Sequence, residues 1–594
     1  MNGYGVCLCG LVVGALLISC TGPHVENMEP AGGAAVGDVN LRARLPFDPA
    51  APPGHAFVAP TENDPYWWVA WRLPDWRRGA QASVTAVLVN GRAVRDYYLI
   101  VGGRVREAPW ITKRVSSAAP VVLVVKMLWC DAADYELAAK IQSGGAVTWE
   151  RTLLTAPERG GGPPGFACYD SFALSETGGM DRLNEPVEIV VAAERSETTQ
   201  DARSPGGTAG LPDQIRLFRY DVESGSLTAV PFQVFDHRQY AGMPPVPDGM
   251  DPRGTGHWAT PSESVRLAFL ADVAARATRV YCVGYGALPD VAPPSPSETL
   301  AIRTGERGTI VENSFYRIDL DPRCGQLNSF VIKGAPAGTP RLTNSTSGTV
   351  HWNPDTYGDN GRWGHSFSWD PPERTHVAAR GPLLYRVTRS GRMPGSNPEV
   401  ELSVTYSFWA GVPYVRMSSV MRVTDDYGSL AVRNGELVFD GELFDAFAWK
   451  EKSGQIRKIR ALHRPDPLID APATPAADVP WVALYNTQGR YGLASVALTA
   501  YAFDPRNGTP SLYRPAYFLY CHPFWARPLT YFVRAWVYPW GYNDRGPVIP
   551  VSQGSTYVED AAYLPFLLDD AEPFAPVELW EGRLRVPLEI QYGH

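Results

Sequence analysis

Short apolar runs that stop after four to eight residues dominate this sequence and constrain its fold more than any other feature. The runs are rich in Val, Ile, Tyr, Phe and Trp and are separated by turn residues, in keeping with 56 Gly and 54 Pro among 594 residues. β-Branched and aromatic residues favour strands, whereas Gly and Pro interrupt helices and central strands. The pattern predicts an all-β protein built from sandwiches, with Asp131–Gln142 as the best short helix.

Several strands can be predicted one by one. Asn90-Gly91 separates the runs Ser83–Asn90 and Ala93–Val101, and this dipeptide favours a two-residue hairpin turn. The next predicted strands are Ala119–Trp129, Glu185–Ala192, Gln214–Tyr220, Ser264–Leu270 and Thr278–Val283.

Two linkers rich in Gly and Pro divide a chain that is too long for one hydrophobic core. They are Ala156–Gly165 and Ala292–Ser297. We therefore expect a β-sandwich at 39–155, a second at 166–291 with an exposed insertion near 238–260, and a large domain at 298–594.

The N-terminus has the pattern of an export signal. The apolar run Leu8 to Ile18 is too short for a membrane span, and Leu17-Ile18-Ser19-Cys20 resembles the lipobox of bacterial lipoproteins. The resemblance implies that residues 1–19 are removed, that Cys20 is acylated, and that 20–38 forms a flexible tether to the membrane of the cell envelope. Met1–Gly5 lacks the usual Lys or Arg, and an ordinary secretory signal containing Cys is the alternative.

Net charge and cysteine spacing argue against binding of nucleic acid and against a zinc site built from cysteines. The net charge of −8 and the lack of a basic cluster argue against nucleic acid. The five cysteines after residue 20 form no C-x-x-C pair, which argues against a cysteine-based zinc site and leaves disulfide pairing open. We expect most of them to be small buried apolar residues; they are Cys130, Cys168, Cys282, Cys324 and Cys521.

Residues 349–370 form the segment richest in groups that bind sugars. Aromatic rings stack on the C–H faces of sugars, while His, Arg and amide groups hold hydroxyl and carboxylate groups. The candidate catalytic residues here are His351, Tyr357 and His365, and the candidate substrate-binding residues are Trp352, Asn353, Arg362, Trp363 and Trp369. The alternative is a surface loop whose Trp residues cover the edge of a sandwich. A second aromatic cluster, Tyr66–Trp76, is either a stacking platform or core.

The segment Asn313–Lys333 carries a resemblance to a known fold. It reads as a strand, a turn at Asp321–Gly325 and a returning strand, with Phe315, Ile318, Leu320, Leu327 and Phe330 as apolar anchors. This pattern resembles the opening hairpin of the galactose-mutarotase-like super-β-sandwich, found in polysaccharide lyases and in the C-terminal region of family 38 alpha-mannosidases. The resemblance covers roughly 185–575 and implies a carbohydrate-active protein. The α/β catalytic domain of those mannosidases has no counterpart here, so their zinc-dependent chemistry is not transferred.

Lyase chemistry is the leading functional prediction. Cleavage of a uronate-containing glycan by β-elimination needs a group that neutralises the carboxylate, a general base and a general acid. Beyond the 349–370 segment, Arg433 and Asn434 could bind a substrate carboxylate, although Arg433 could instead pair with Glu436 or Asp440. A third cluster offers His522 as a catalytic residue and Tyr520 and Trp525 for substrate binding.

Two alternatives remain open. A glycoside hydrolase needs two carboxylates ~5–9 Å apart, and spacing does not single out a pair. A glycan-binding lipoprotein without catalysis would use the same surface. The lyase reaction needs no cofactor; whether Asp355, Asp359 and Asn360 hold a structural Ca²⁺, or a Zn²⁺ is bound elsewhere, stays open.

The lipid anchor can be tested directly. We expect Cys20→Ser expressed in a bacterial host to leave the membrane fraction and to lose fatty-acid labelling, because the acylated thiol is removed. The matched controls Cys7→Ser and Cys9→Ser change cysteines within the removed segment and should stay membrane-bound. Membrane retention of Cys20→Ser would contradict the lipobox interpretation.

Overall fold

The chain is described here by a computed structural model that is almost entirely antiparallel β-structure. Its described part contains one α-helix, and no described helix has the length and apolar character needed to cross a membrane. The description covers 54–592 except for the ranges 55, 61–65, 75–81, 90, 94–96, 102–103, 107–112, 116–120, 129–134, 144, 155–167, 195–211, 213–214, 222–225, 240–260, 286–291, 307, 352–354, 359–362, 366–370, 394–399, 461–474, 507–511, 525–526 and 539–545.

The first ten strands form two facing five-stranded sheets. One has the order β1-β2-β8-β5-β6 and the other β10-β9-β3-β4, with β7 beside β3. Their inward side chains share one apolar core that includes Val69, Leu99 and Leu123. The strands are β1 Ala56–Pro60, β2 Tyr66–Arg72, β3 Ala82–Val89, β4 Arg92–Ala93, β5 Tyr97–Val101, β6 Arg104–Arg106, β7 Lys113–Val115, β8 Val121–Leu128, β9 Tyr135–Ser143 and β10 Ala146–Leu154.

The structure corrects one prediction and refines two others in this region. The helix predicted at Asp131–Gln142 is wrong, because Tyr135–Ser143 is strand β9 and its alternate residues face the core. The Asn90-Gly91 turn is confirmed by the β3–β4 pairing, but the run after it divides between the two sheets. Trp71 is buried in the core, so at least one face of the Tyr66–Trp76 cluster is core.

A second sandwich follows. Its larger sheet has the order β14-β13-β17-β11-β38, and its smaller sheet has the order β12-β16-β15. The last strand of the chain therefore pairs with β11, far away in sequence. The strands are β11 Cys168–Ser175, β12 Arg182–Glu194, β13 Arg216–Tyr220, β14 Leu227–Val230, β15 Phe232–Gln239, β16 Pro261–Val273, β17 Thr278–Tyr285 and β38 Glu589–Tyr592.

The predicted hairpin at Asn313–Lys333 is present in the large C-terminal region, although the strands Ala301–Gly305 and Gly308–Glu312 pair with each other before it. Tyr316–Leu320 and Leu327–Ile332 pair across a turn in which Gly325 adopts φ +71°. The Asn313 side chain accepts backbone N–H groups at its start and donates to Trp409 and Val412 carbonyl oxygens. Phe315 is 40% exposed and is not a core anchor, whereas the other four predicted anchors are buried.

Three sheets form this region. A five-stranded sheet runs β18-β19-β20-β21-β22, a six-stranded sheet runs β24-β23-β29-β35-β34 with β36 beside β29, and a nine-stranded sheet runs β25-β26-β27-β28-β37-β33-β32-β30-β31. One large apolar cluster unites their inner faces. The elements are β18 Ala301–Gly305, β19 Gly308–Glu312, β20 Tyr316–Leu320, β21 Leu327–Ile332, β22 Leu342–Thr343, β23 Asp355–Gly358, β24 Trp363–His365, β25 Arg374–Arg380, β26 Leu384–Arg392, β27 Val400–Trp409, β28 Val415–Val423, β29 Tyr427–Asp440, the 3-10 turn Gly441–Leu443, β30 Ala446–Lys450, β31 Ile456–Arg460, β32 Trp481–Asn486, β33 Tyr491–Phe503, β34 Ala516–Phe524, β35 Arg527–Val537, β36 Ile549–Val551, β37 Thr556–Leu567 and the helix α1 Ala575–Arg585.

The end of helix α1 is attached to the second sandwich by a buried arginine. Arg182 donates to the carbonyl oxygens of Arg583 and Val586, at 3.0 and 2.5 Å, and pairs with Glu176 at 3.1 Å. Both charged side chains of this pair have no solvent exposure. Two segments about 400 residues apart in sequence are therefore joined by the hydrogen bonds of one buried arginine, whose charge is balanced by Glu176.

Two further predictions relate to this description. The cysteine prediction is confirmed for Cys282 and Cys324, which are both buried. The domain boundaries stay predictions, as do the signal peptide and tether, which lie outside the described residues.

Acid should weaken the attachment of helix α1. Burial alone raises the pKa of Glu176, but N–H groups of Arg276 and Gly179 and the Arg182 guanidinium lower it to about 2. Because this folded-state pKa lies below the ordinary value of 4.5, the carboxylate contributes stability above that pH and loses it as the pH falls toward 2.

We therefore expect Glu176→Gln to lower the free energy of unfolding at neutral pH and to flatten its dependence on pH in this range. Urea unfolding at several pH values measures both effects. The exposed control Glu306→Gln should follow the wild type, and an unchanged pH dependence in Glu176→Gln would contradict this assignment.

Candidate functional site

The candidate site lies on the face of the six-stranded sheet that points away from the nine-stranded sheet, here called the outer face. Along β35, Phe532 and Trp536 belong to the large core between the sheets, whereas Tyr531, Val533 and Ala535 form a separate apolar cluster on the opposite side. This alternation follows from the two-residue period of a strand. Side chains of the outer face that the structure describes are themselves mostly buried.

Strand register brings four predicted site residues to neighbouring positions. Asp355 of β23 pairs directly with His365 of β24 and with Arg433 of β29. Two residues along β23, Tyr357 pairs with Trp363. Directly paired residues have their Cβ atoms ~5 Å apart. The 349–370 segment therefore forms the edge hairpin of this sheet, β23–β24, and it meets the later Arg433.

Arg433 is already paired with an acidic residue. Its guanidinium lies 2.8 Å from the Glu436 carboxylate, with the two side chains only 7% and 2% exposed. The alternative foreseen for Arg433, an ion pair with Glu436, is therefore present. The pairing of β29 with β35 shifts register on both sides of Asn434, and Gly435 adopts φ +62°. This bulge inserts an extra residue and lets Arg433 and Glu436, three residues apart, share one face.

The same bulge directs Asn434 to the other side of the sheet. Asn434 is fully buried, and its side-chain oxygen accepts a hydrogen bond from the Ser419 hydroxyl on the nine-stranded sheet. It is thus a contact between the two sheets and is separated from Arg433. The prediction that Arg433 and Asn434 together bind a substrate carboxylate is therefore wrong, because their side chains lie on opposite faces of the sheet.

His351 also lies between the sheets. It is fully buried, and its Nδ1 lies 2.8 Å from the Gln326 side-chain oxygen and 2.5 Å from the Tyr406 hydroxyl. Burial and the nearby Arg389 guanidinium lower its pKa well below the ordinary value, so the imidazole is neutral. His351 therefore does not share the outer face with Arg433, and its position argues for a structural role in place of the predicted catalytic one.

The third predicted cluster is on β34, at the far side of the sheet. Tyr520 pairs with Tyr531, and His522 pairs with Leu529, whereas Arg433 pairs with Ala535. At ~3.4 Å per residue, the His522 position is ~20 Å and the Tyr520 position ~14 Å along the strands from that of Arg433. These positions could contact other units of a long chain, but His522 is too far away to act beside Arg433.

Tyr357 is buried in the apolar cluster of the outer face, together with Tyr531 and Tyr538. Among the described residues, no three His, Cys, Asp or Glu side chains form a metal-binding group. The remaining predicted site residues lie outside the described part of the chain: Trp352, Asn353, Arg362, Trp369 and Trp525.

Sequence reasoning missed the inner partners of the site. Gln326 and Tyr406 hold His351, and Arg534 pairs with Glu559 directly beneath the bulge. A Cβ atom on Gly435 would lie 2.7 Å from the Glu559 carboxylate. The available signal was the Asn-Gly dipeptide inside an apolar strand, which marks a bulge or a close approach.

No family model matches the sequence, and no curated protein matches it. Similar solved structures include an alpha-mannosidase from Enterococcus faecalis V583, at 11% identity and a TM-score of 0.42, covering 72% of this chain and 46% of that one. A glycosyl hydrolase family 38 protein from Enterococcus faecalis is 12% identical, with a TM-score of 0.40, and covers 72% and 47%. A putative aldose 1-epimerase from Escherichia coli K12 is 10% identical, with a TM-score of 0.25, and covers 45% and 100%. The chain spans less than half the length of the first two.

The close approach at Gly435 can be tested with a matched glycine. Gly435→Ala should reduce the free energy of unfolding by ~2–4 kcal/mol, because it adds backbone strain and a clash with Glu559. Gly454 has φ +87° with nothing within 4 Å of its Cβ position, so Gly454→Ala should cost only ~1 kcal/mol. Urea unfolding of both variants gives the comparison, and equal costs would contradict the contact.

Proposed function

We propose that this protein is a carbohydrate-active protein of the bacterial cell envelope that cleaves a uronate-containing polysaccharide by β-elimination. The observation that carries the proposal is the strand register, which aligns His365 and Arg433 on either side of Asp355. The resemblance of Asn313–Lys333 to super-sandwich proteins of carbohydrate metabolism supports the substrate class. The lipobox at Leu17–Cys20 supports attachment to the membrane.

The proposed reaction uses these residues in three roles. Arg433 faces the uronate carboxylate and stabilises the charge that develops when the C5 proton leaves. His365 takes that proton, and the C5–H electron pair forms the C4–C5 double bond while the bond from C4 to the glycosidic oxygen breaks. Tyr357 is the proposed acid that returns a proton to the leaving oxygen. The products are a shortened glycan and an unsaturated uronate end.

The Arg433–Glu436 ion pair sets a condition on this mechanism. A guanidinium has five N–H donors, so one carboxylate does not exhaust its hydrogen bonding. The substrate carboxylate must then share Arg433 with Glu436. We propose that the glycan enters at β24, the edge strand of the six-stranded sheet.

Glycoside hydrolysis is the second candidate, and a specific observation favours it. Glu436 already balances the charge of Arg433, and Asp355 pairs with Arg433 across the strands. Diagonal cross-strand neighbours are ~7–8 Å apart, and inverting glycosidases separate their two carboxylates by ~6.5–9.5 Å. Asp355 and Glu436 would then be the acid and base.

The experiment is a screen of the full chain against a panel of anionic and neutral polysaccharides. A lyase raises the ultraviolet absorbance of unsaturated uronate, whereas a hydrolase releases reducing ends without that absorbance. Retarded migration in glycan gels without any product would indicate binding alone and would contradict both enzymatic proposals.

Variants separate the two chemistries. For a lyase, Arg433→Met should lower kcat/KM by ~10²–10³, and His365→Ala should lower it by ~10²–10⁴. Glu436→Gln should keep most of the lyase activity, because it leaves the Arg433 guanidinium available to the substrate carboxylate. For a hydrolase, Glu436→Gln should abolish turnover. The control His376→Ala changes an exposed histidine of β25 and should leave kcat/KM unchanged. A lyase that is insensitive to Arg433→Met would contradict the assigned site.

A further inference from the structure

A polar cluster lies inside the sandwich, between the six-stranded and nine-stranded sheets. Its centre is the Arg534–Glu559 ion pair, and both side chains have no solvent exposure. Arg534 also donates to the Ala477 carbonyl oxygen at 2.8 Å and to the Tyr517 hydroxyl. The members of this internal polar cluster, all no more than 1% exposed, are Ser419, Asn434, Tyr517, Arg534, Glu559 and Tyr563.

Apart from Arg534 Nη1 and Glu559 Oε1, which face each other in the ion pair, three atoms of the cluster have no hydrogen-bond partner among the described residues. They are Oε2 of Glu559, Nδ2 of Asn434 and the hydroxyl of Tyr563. A buried polar atom without a partner costs ~1–3 kcal/mol, and such atoms are rare in native proteins. Three of them in one neighbourhood therefore require a shared explanation.

The side chains that carry these three atoms are linked through their neighbours. Ser419 pairs with Glu559 across β28 and β37, and its hydroxyl donates to Asn434 at 3.1 Å. The Glu559 carboxylate is one cause, after burial, of the raised pKa of Tyr563. Between Glu559 and Tyr563 on the same face of β37 lies the small Ala561, and Gly435 faces Glu559 from the other sheet.

The chemistry of these atoms matches water. Glu559 Oε2 accepts a hydrogen bond, Asn434 Nδ2 donates one, and a tyrosine hydroxyl does both. A water molecule donates two and accepts two, and buried waters typically make about three bonds to such groups. An apolar ligand would leave all three atoms unpaired, and an anion would be repelled by Glu559.

We propose that the internal polar cluster is a binding site for a small group of ordered water molecules, held by Glu559, Asn434 and Tyr563. These waters complete the hydrogen bonding of the Arg534–Glu559 pair in the interior. They also fix Asn434 and Gly435, the inner side of the bulge that carries Arg433 and Glu436 outside. The site is independent of the proposed enzymatic function.

A crystal structure of the full chain at a resolution that defines waters tests the proposal. We expect water oxygens ~2.6–3.2 Å from Glu559 Oε2 and Asn434 Nδ2. Direct hydrogen bonds between these atoms and protein groups, or an interior without density, would overturn it. Magnetic relaxation dispersion of water oxygen nuclei in solution should show the same waters as long-lived.

Two tyrosines provide matched variants. Tyr563→Phe removes only the hydroxyl from the cluster and should lose at least one of these waters in the crystal and reduce the dispersion amplitude. Tyr316 is equally buried, and its hydroxyl also has no partner among the described residues, but it lies on β20 of the five-stranded sheet. Tyr316→Phe should leave the waters at Glu559 and Asn434 in place. The same waters in Tyr563→Phe as in the wild type would contradict the role of that hydroxyl.

Discussion

The buried ion pair between Arg534 and Glu559 is the interaction on which the arrangement of the two large sheets depends. Each charge comes from a different sheet, β35 on one side and β37 on the other, and neither reaches solvent. Removing one partner of such a pair is far more costly than replacing both, because the remaining charge is left without compensation. Any sheet arrangement that separates the two charges is therefore strongly disfavoured.

The bulge in β29 lies between the Arg534–Glu559 pair and the outer face of the six-stranded sheet. Glu559 presses against Gly435 on the inner side, where no side chain would fit without a shift. The extra residue then turns Arg433 and Glu436 to the same outer face, where they pair at 2.8 Å. The bulge in β29 thus contacts Glu559 in the core with one face and carries the Arg433–Glu436 pair of the candidate site on the other. Bulges often occur beside functional sites.

The polar residues His351, Asn434, Arg433 and Glu436 divide into two kinds by the side of the sheet on which they lie. His351 and Asn434 came from segments that suggested chemistry, but both are fully buried and bond through one atom, His351 Nδ1 and Asn434 Oδ1, to residues of the core. Arg433 and Glu436 are also buried, yet they face the edge hairpin formed by β23 and β24. Position relative to the sheet therefore decides which residues of a polar segment could meet a glycan.

Two-residue alternation and turn dipeptides are local signals, and they were enough to predict the all-β fold class, several individual strands and the hairpin Asn313–Lys333. The sequence pattern failed at Tyr135–Ser143, where small apolar residues fit helix and strand equally well and pairing with two neighbours chose the strand. It also found the polar segment 349–370 and Arg433. Which of their side chains share a face became clear from strand pairing, because register and a single bulged residue separate Arg433 from Asn434. The Asn434-Gly435 dipeptide marks the bulge locally, but the register depends on contacts between strands far apart in the chain.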